Sequence, residues 1–161
     1  MLLLVFHIGN ERYAIKASNV VEVVPQVRLK HIPLAASYVA GAFDYRGAPV
    51  PVIDLCQLFE QRPCSAQMST RIMLIRFPCA DGHIRLLGAI AEQVTETMQA
   101  EPAEFADAGI EISEGPFLGG IARDEAGLIQ YVETERLLPE EVARELFAAS
   151  EQADAPQAAR G

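Results

Sequence analysis

Three histidines, three cysteines and a scatter of carboxylates are the groups in this chain with chemistry to offer. His7, His31 and His83 stand far apart, without the His-x-x-x-His spacing by which one helix face gathers a metal ion. No Gly-x-Ser-x-Gly elbow is present. The glycine-rich run Glu114-Gly-Pro-Phe-Leu-Gly-Gly120 lacks the following Lys-Ser/Thr that a phosphate loop requires. Cys56 lies two residues after Asp54, which invites a nucleophile reading, but a cysteine on a short helix after a strand is expected to be buried packing. Cys56, Cys64 and Cys79 are odd in number and contain no Cys-x-x-Cys, so neither a disulfide framework nor a zinc knuckle is expected and a reducing cytosol fits best. Arg46 has a different potential. It sits beside Gly47 at a turn, and its planar fork suits two-point binding of a carboxylate. The chain is therefore read as a binding protein, with no catalytic residues, no metal and no cofactor.

The elements that would position these groups follow a period of two. Leu2 to Ile8 and Arg12 to Ile15 flank Gly9-Asn10, a hairpin signal. His7 is placed on the face opposite Leu2, Leu4, Phe6 and Ile8. Ala17 to Val24 begins with a cap-like Ser18-Asn19 and becomes a valine-rich strand before Pro25. Leu29 to Ile32 reads as a short extended piece and Ser37 to Ala40 as one helical turn. Gly41 to Tyr45 and Ala48 to Asp54 form a strand pair around Arg46-Gly47. Pro49 and Pro51, two residues apart, remove N–H groups from one edge, so this strand is expected to pair on one side only. Asp54 can cap a short helix over Leu55–Glu60, and Gln61 to Thr70 is a polar loop. Arg71–Phe77, Arg85–Ala91 and Glu92–Met98 are extended, with a turn at Asp81-Gly82. Phe117–Arg123 and Leu128–Val132 form another hairpin. Residues 133–138 and 139–149 read as helical, with Pro139 in a plausible first turn. Residues 150–161 lack periodicity and are expected to be a disordered tail. Ten or eleven short strands with regular turns indicate a mainly β chain, a sandwich or barrels.

Composition narrows the partners. Of 161 residues half are hydrophobic, enough for one substantial core, and no apolar run approaches the ~20 residues of a membrane span. Met1 to Phe6 has no basic segment before it and no small-residue cleavage site after it, so it is not read as a signal peptide. Residues 1–91 carry net charge +3 and residues 92–161 carry −12, together the −9 of the chain. With only Lys16 and Lys30 as lysines, the chain has no footprint for nucleic acid. The asymmetry suits a solvated acidic surface or the orientation of a protein partner.

The stretch Gly41-Ala-Phe-Asp-Tyr-Arg46-Gly47-Ala-Pro-Val-Pro51-Val-Ile-Asp54-Leu55 resembles the signature of CheW-like domains, adaptors between chemoreceptors and the histidine kinase CheA. Phe6 to Ala14, Val20-Val-Glu22-Val, Leu86 to Val94 and Phe117-Leu-Gly-Gly-Ile121 are similar to further family blocks in the same order, so the resemblance runs from residue 2 to about 140. It implies two five-stranded SH3-like barrels sharing a hydrophobic junction, with short helices and a C-terminal helix, in a domain over residues 1–149. It also implies a pair between Arg46 and Glu22, and a receptor-binding groove of Val20, Glu22, Arg46, Leu86 and Leu87 that takes the cytoplasmic hairpin tip of a chemoreceptor. Val20, Leu86 and Leu87 would equally suit barrel cores. A kinase-binding face would comprise Val27, Leu29, Gly41, Ala42 and Phe43, docking the regulatory domain of a CheA-type kinase. The implied location is cytoplasmic, recruited to membrane-anchored arrays without insertion. Asp44 stands where the family usually has asparagine, and Glu92 where it often has aspartate. Asp44 is expected to compete with Glu22 for the guanidinium, and the two departures leave open a divergent scaffold serving a dedicated non-flagellar pathway.

Overall fold

Apolar residues at alternate positions put about half of the described residues into strands, and one long strand joins the two halves. The computed structural model describes residues 1–106 and 115–153. Among these residues nine strands occur: β1 (Leu2–Ile8), β2 (Glu11–Lys16), β3 (Val20–Pro25), β4 (Val39–Tyr45), β5 (Ala48–Asp54), β6 (Arg71–Pro78), β7 (Ile84–Gln99), β8 (Leu118–Asp124) and β9 (Gly127–Val132). Two α-helices join them, α1 (Leu55–Glu60) and α2 (Glu140–Ala153). No described helix is long and apolar enough to cross a membrane.

The first sheet runs β3-β6-β7-β5-β4 and the second β7-β1-β2-β9-β8, so each has five strands and β7 belongs to both. Residues 84–91 of β7 pair with β6, and residues 92–99 pair with β1. Just past the change of partner, Gln93 takes a left-handed φ of 46°, where the strand bends from one sheet into the other. The ladders do not zip shut. Among the described residues a single bridge meets the outer strand in each sheet: Lys30 with Ala42 on β4, and Ala106 with Ile121 on β8. A glycine precedes each bridged strand residue. A Cβ on Gly41 would lie 2.5 Å from the Lys30 carbonyl oxygen, and one on Gly120 would lie 2.7 Å from that of Ala106.

The alternation of β1 holds and both of its faces are buried, while its pairing with β7 shifts register between Val5 and His7. Leu3 and Val5 face the core of the second sheet, whereas Phe6 and Ile8 face the larger junction core. The expected grouping of Leu4 with Phe6 and Ile8 is therefore found, all three lying against the junction core, and only Leu2 departs from it by being exposed. Pairing of β5 also differs from expectation. It pairs with β4 throughout and also in parallel with β7, but only over Val52–Asp54, where the chain has passed Pro51 and its N–H groups are restored.

Short segments depart from the sequence reading where local signals are weak. Leu29 to Ile32 contributes one bridge, Ser37 to Ala40 leads into β4, and the helical stretch 133–138 shrinks to a 3-10 turn at Thr134–Arg136. α2 runs past residue 149, through Ser150 to Ala153, so these four residues of the expected tail are helical. Leu146, Phe147 and Ser150 keep its buried stripe, and the Ser150 hydroxyl donates to the Leu146 carbonyl at 2.9 Å. The remainder of the expected tail, 154–161, lies outside the described residues, as does Glu114 of the glycine-rich run.

Candidate functional site

The two outer strands of the first sheet are tied across their seam by side chains. Glu22 lies on β3; Tyr45 ends β4, and Arg46 starts the turn into β5. The Tyr45 hydroxyl donates to Oε2 of Glu22, and the same oxygen lies 3.6 Å from Nη2 of Arg46. The Arg46 guanidinium sits 5.1 Å above the Tyr45 ring centroid. The bond to Glu22, followed by burial, raises the Tyr45 hydroxyl pKa above its ordinary value. Arg46 holds a left-handed φ of 52°, and the turn is fixed by Asp44, whose carboxylate accepts the Gly47 N–H at 2.8 Å. The expected competition of Asp44 for the guanidinium is thus corrected: its oxygen is committed to the turn, as an aspartate at this position readily allows. With the Arg46 side chain 76% exposed, its pair with Glu22 contributes about 0–1 kcal/mol and mainly shapes a surface.

The remaining residues of the predicted receptor groove do not all share that surface. Leu86 and Leu87 are adjacent on β7 and point to opposite faces. Leu86 packs with the inner cluster of the first sheet, as Tyr45 does, while Leu87 is fully buried in the junction core. Val20 is half-buried against that junction core, at a bulge opposite Ile75. Glu22, Tyr45, Arg46 and Leu86 therefore form one neighbourhood, and Val20 borders another.

Of the predicted kinase face, Val27 is 44% exposed, and Leu29 and Phe43 are half-buried over the first sheet's cluster. Gly41 and Ala42 are buried beneath them. Lys30 N–H donates to the Ala42 carbonyl at 2.8 Å, and Ala42 N–H returns a bond to Lys30 at 2.9 Å. These two residues fasten the 26–30 strap to β4, and the exposed apolar surface is left to Val27 and the edges of Leu29 and Phe43.

A second acidic centre escaped the sequence reading. Glu92 sits where β7 changes sheets and is 7% exposed. Its Oε1 accepts from the Gly9 N–H at 2.8 Å and from Arg62 Nη2 at 3.1 Å. Its Oε2 accepts both the N–H and the hydroxyl of Ser65 at 2.7 Å. Arg62, then the Ser65 and Gly9 donors, hold its pKa down to about 2 against the opposing effect of burial. One carboxylate thereby joins the β1–β2 turn, the 61–70 loop and the bend of β7. Its signal in the sequence was a lone charge within the apolar run Leu86 to Val94. Glu92 is consequently an internal fastening rather than part of a recognition surface.

The cysteines require a further correction. Cys56 and Cys64 are bonded as a disulfide, with Cα atoms 5.1 Å apart and a sequence separation of 8, leaving Cys79 free. Asp54 caps α1 through the N–H groups of Cys56 and Gln57, Gln61 ends it in a left-handed conformation, and the chain doubles back. The second Asp54 oxygen then receives the Cys64 N–H at 3.1 Å. A fold-back over one short helix leaves no Cys-x-x-Cys signature, which is why the count and spacing missed it. Cys56 is fully buried, in line with packing rather than nucleophilic attack. The histidines stay apart: His7 is half-buried on β1, His31 is exposed, and His83 is exposed at the β6–β7 turn with Nδ1 3.3 Å from Asp81.

Comparison with known proteins agrees with this geometry. The model of the CheW-like domain matches residues 2–142. The chemotaxis protein CheW of Helicobacter pylori is 25% identical over 134 residues, 83% of this chain and 78% of that protein. CheW of Klebsiella aerogenes is 30% identical over 97 residues, 56% of this chain and 58% of that protein. Among solved structures, the scaffolding protein TtCheW from Thermoanaerobacter tengcongensis superposes with a TM-score of 0.74 at 24% identity, covering 86% of this chain and 87% of that one. The chain belongs to the CheW-like domain family, a group of non-enzymatic adaptor and scaffold domains.

Proposed function

We propose that this protein couples the cytoplasmic hairpin tips of methyl-accepting-type chemoreceptors to the regulatory domain of a CheA-type histidine kinase. The observation that carries the reading is the family match over residues 2–142. It is supported by a first sheet whose rim presents charge at Glu22 and Arg46 and apolar surface at Val27. The receptor tip meets Glu22, Arg46 and the edge of Leu86, with Val20 at the border and Leu87 supporting from beneath. The kinase barrel meets Val27, Leu29 and Phe43, with Gly41 and Ala42 fixing the strap that presents them. An adaptor of this kind transmits a signal by making contacts that differ between two receptor states, so it needs no chemistry of its own. The protein acts in the cytoplasm at receptor arrays. Asp44 and Glu92 are both employed inside the chain, so they give no support to a separate non-flagellar pathway.

The test is calorimetric titration of the full chain with the regulatory domain of its own organism's CheA-type kinases. Saturable binding weakened at least tenfold by Val27→Glu, in a variant with an unchanged melting curve, is the expected result. Absence of binding to every such kinase would remove the kinase half of the proposal. Unchanged receptor control of the kinase in a folded Arg46→Glu variant would remove the role given to the rim.

A further inference from the structure

We propose that Cys56 and Cys64 form a thiol–disulfide exchange site, a redox latch on the loop that fastens the two sheets together. The inference does not depend on the adaptor reading. Both redox states have a place in the structure. In the closed state the two sulfurs are joined. In the open state the Cys64 thiol has an acceptor ready, because its sulfur lies 3.6 Å from the Ile90 carbonyl oxygen. The surroundings also favour exchange over metal binding. Asp54, Cys56 and Cys64 converge, but the Asp54 oxygens already accept three backbone N–H groups, so two sulfurs remain where zinc takes four donors.

Access and consequence point the same way. Cys64 is partly exposed whereas Cys56 is fully buried, so an incoming thiolate can reach the Cys64 sulfur. A small-molecule thiolate such as glutathione attacks that sulfur, the S–S bond breaks, and Cys56 leaves as the thiolate and takes up a proton. A second glutathione thiolate then releases Cys64, and the two glutathiones leave as their disulfide. Two electrons pass from the glutathione pair to the protein. Cys64 is directly followed by Ser65, which gives two hydrogen bonds to Glu92, and it is preceded by Arg62, which gives two more. Farther along the same loop, the Ser69 carbonyl accepts the Val94 N–H at 3.0 Å. Opening the disulfide frees the loop's anchor at α1 and loosens its grip on the bend of β7.

The experiment uses the full chain carrying Cys79→Ser, equilibrated in buffers of reduced and oxidised glutathione. Thiols are counted by maleimide mass shift, and amide exchange is followed by residue. The expected result is reversible conversion between zero and two labelled thiols. Exchange at Cys64 and Ser65 should be at least tenfold faster in the reduced form, with Gly9 and Val94 following, and melting about 5–10 °C lower. Cys64→Ser, or Cys64→Ala should the serine variant misfold, should show fast exchange in every buffer. Two free thiols at all glutathione ratios, a disulfide that resists reduction in the folded chain, or equal exchange in both forms would each overturn the proposal.

Discussion

Glu22 and Glu92 each face an arginine, yet they do opposite work. Glu22 meets Arg46 at the rim of the first sheet, 3.6 Å away and largely in water. Glu92 meets Arg62 at 3.1 Å with only 9% of its side chain exposed, and backbone N–H groups from two other segments share its oxygens. The difference teaches that a charge pair fastens the fold when neighbouring donors surround it in a dry site, and decorates the surface when they do not. A glutamate within an apolar strand is consequently the better place to look for an internal joint, and a glutamate beside a turn arginine the better place to look for recognition.

The sharpest way to break this contrast is Glu92→Ala. It strands the Gly9 and Ser65 donors and should cost about 3 kcal/mol in urea denaturation. The pH profile tests the same site without a cavity. The folded pKa of Glu92 is depressed to about 2 from 4.5. Its contribution is therefore fully present above pH ~4.5 and lost as the pH falls from there towards 2. That loss should amount to about 2–3 kcal/mol, reduced somewhat because Arg62 reaches solvent. Asp81 and Asp124 are also depressed, by Arg85 and Arg12 respectively, and will add to the slope. The difference between the wild-type chain and Glu92→Gln isolates the one carboxylate. A profile unchanged by Glu92→Gln would place the joint elsewhere.

Next in size are the two bridge glycines. Gly41→Ala places a Cβ against the Lys30 carbonyl at a φ of +145°, and Gly120→Ala meets the carbonyls of Phe105 and Ala106. Each should cost about 2 kcal/mol by thermal melting. Only Gly41→Ala should also weaken kinase-domain binding, since only its bridge carries Val27. The smallest effect on stability belongs to Arg46→Ala, within about 0.5 kcal/mol, while receptor coupling drops. A large stability loss there would erase the distinction between rim and joint.

Much of the fold was legible because alternation and turn chemistry act locally. Gly9-Asn10, Asp81-Gly82 and Asp54 as a helix cap are all found where their residues indicate. Arg46 and Glu22 meet as the family resemblance implied. What stayed hidden depends on distant parts of the chain. The shift in register between β1 and β7, where Val5 pairs with Glu96 and His7 with Glu92, joins segments more than eighty residues apart and has no local signature. The pairing of Cys56 with Cys64 depends on how the chain turns after α1. The burial of Gly41 and Ala42 follows from strand neighbours that no periodicity names, whereas Leu87 fills a core as its apolar run allowed. Glu92 was visible as an odd charge, but its partners at Gly9 and Arg62–Ser65 come from three-dimensional closure.

The sixteen residues of β7 have a consequence for how this molecule can come apart. A protein whose halves each own their strands can be cut at a linker, and each half can melt by itself. Here β7 is the central strand of the first sheet and an end strand of the second, so parting the halves would strip one of them of a strand and expose the row of polar groups along its neighbour. The halves are accordingly conjoined rather than tethered. Heating should produce one cooperative transition with no half-folded species, and attempts to express either half alone should yield aggregates. A deformation imposed on the rim by a partner has a continuous covalent rod along which to reach the far sheet.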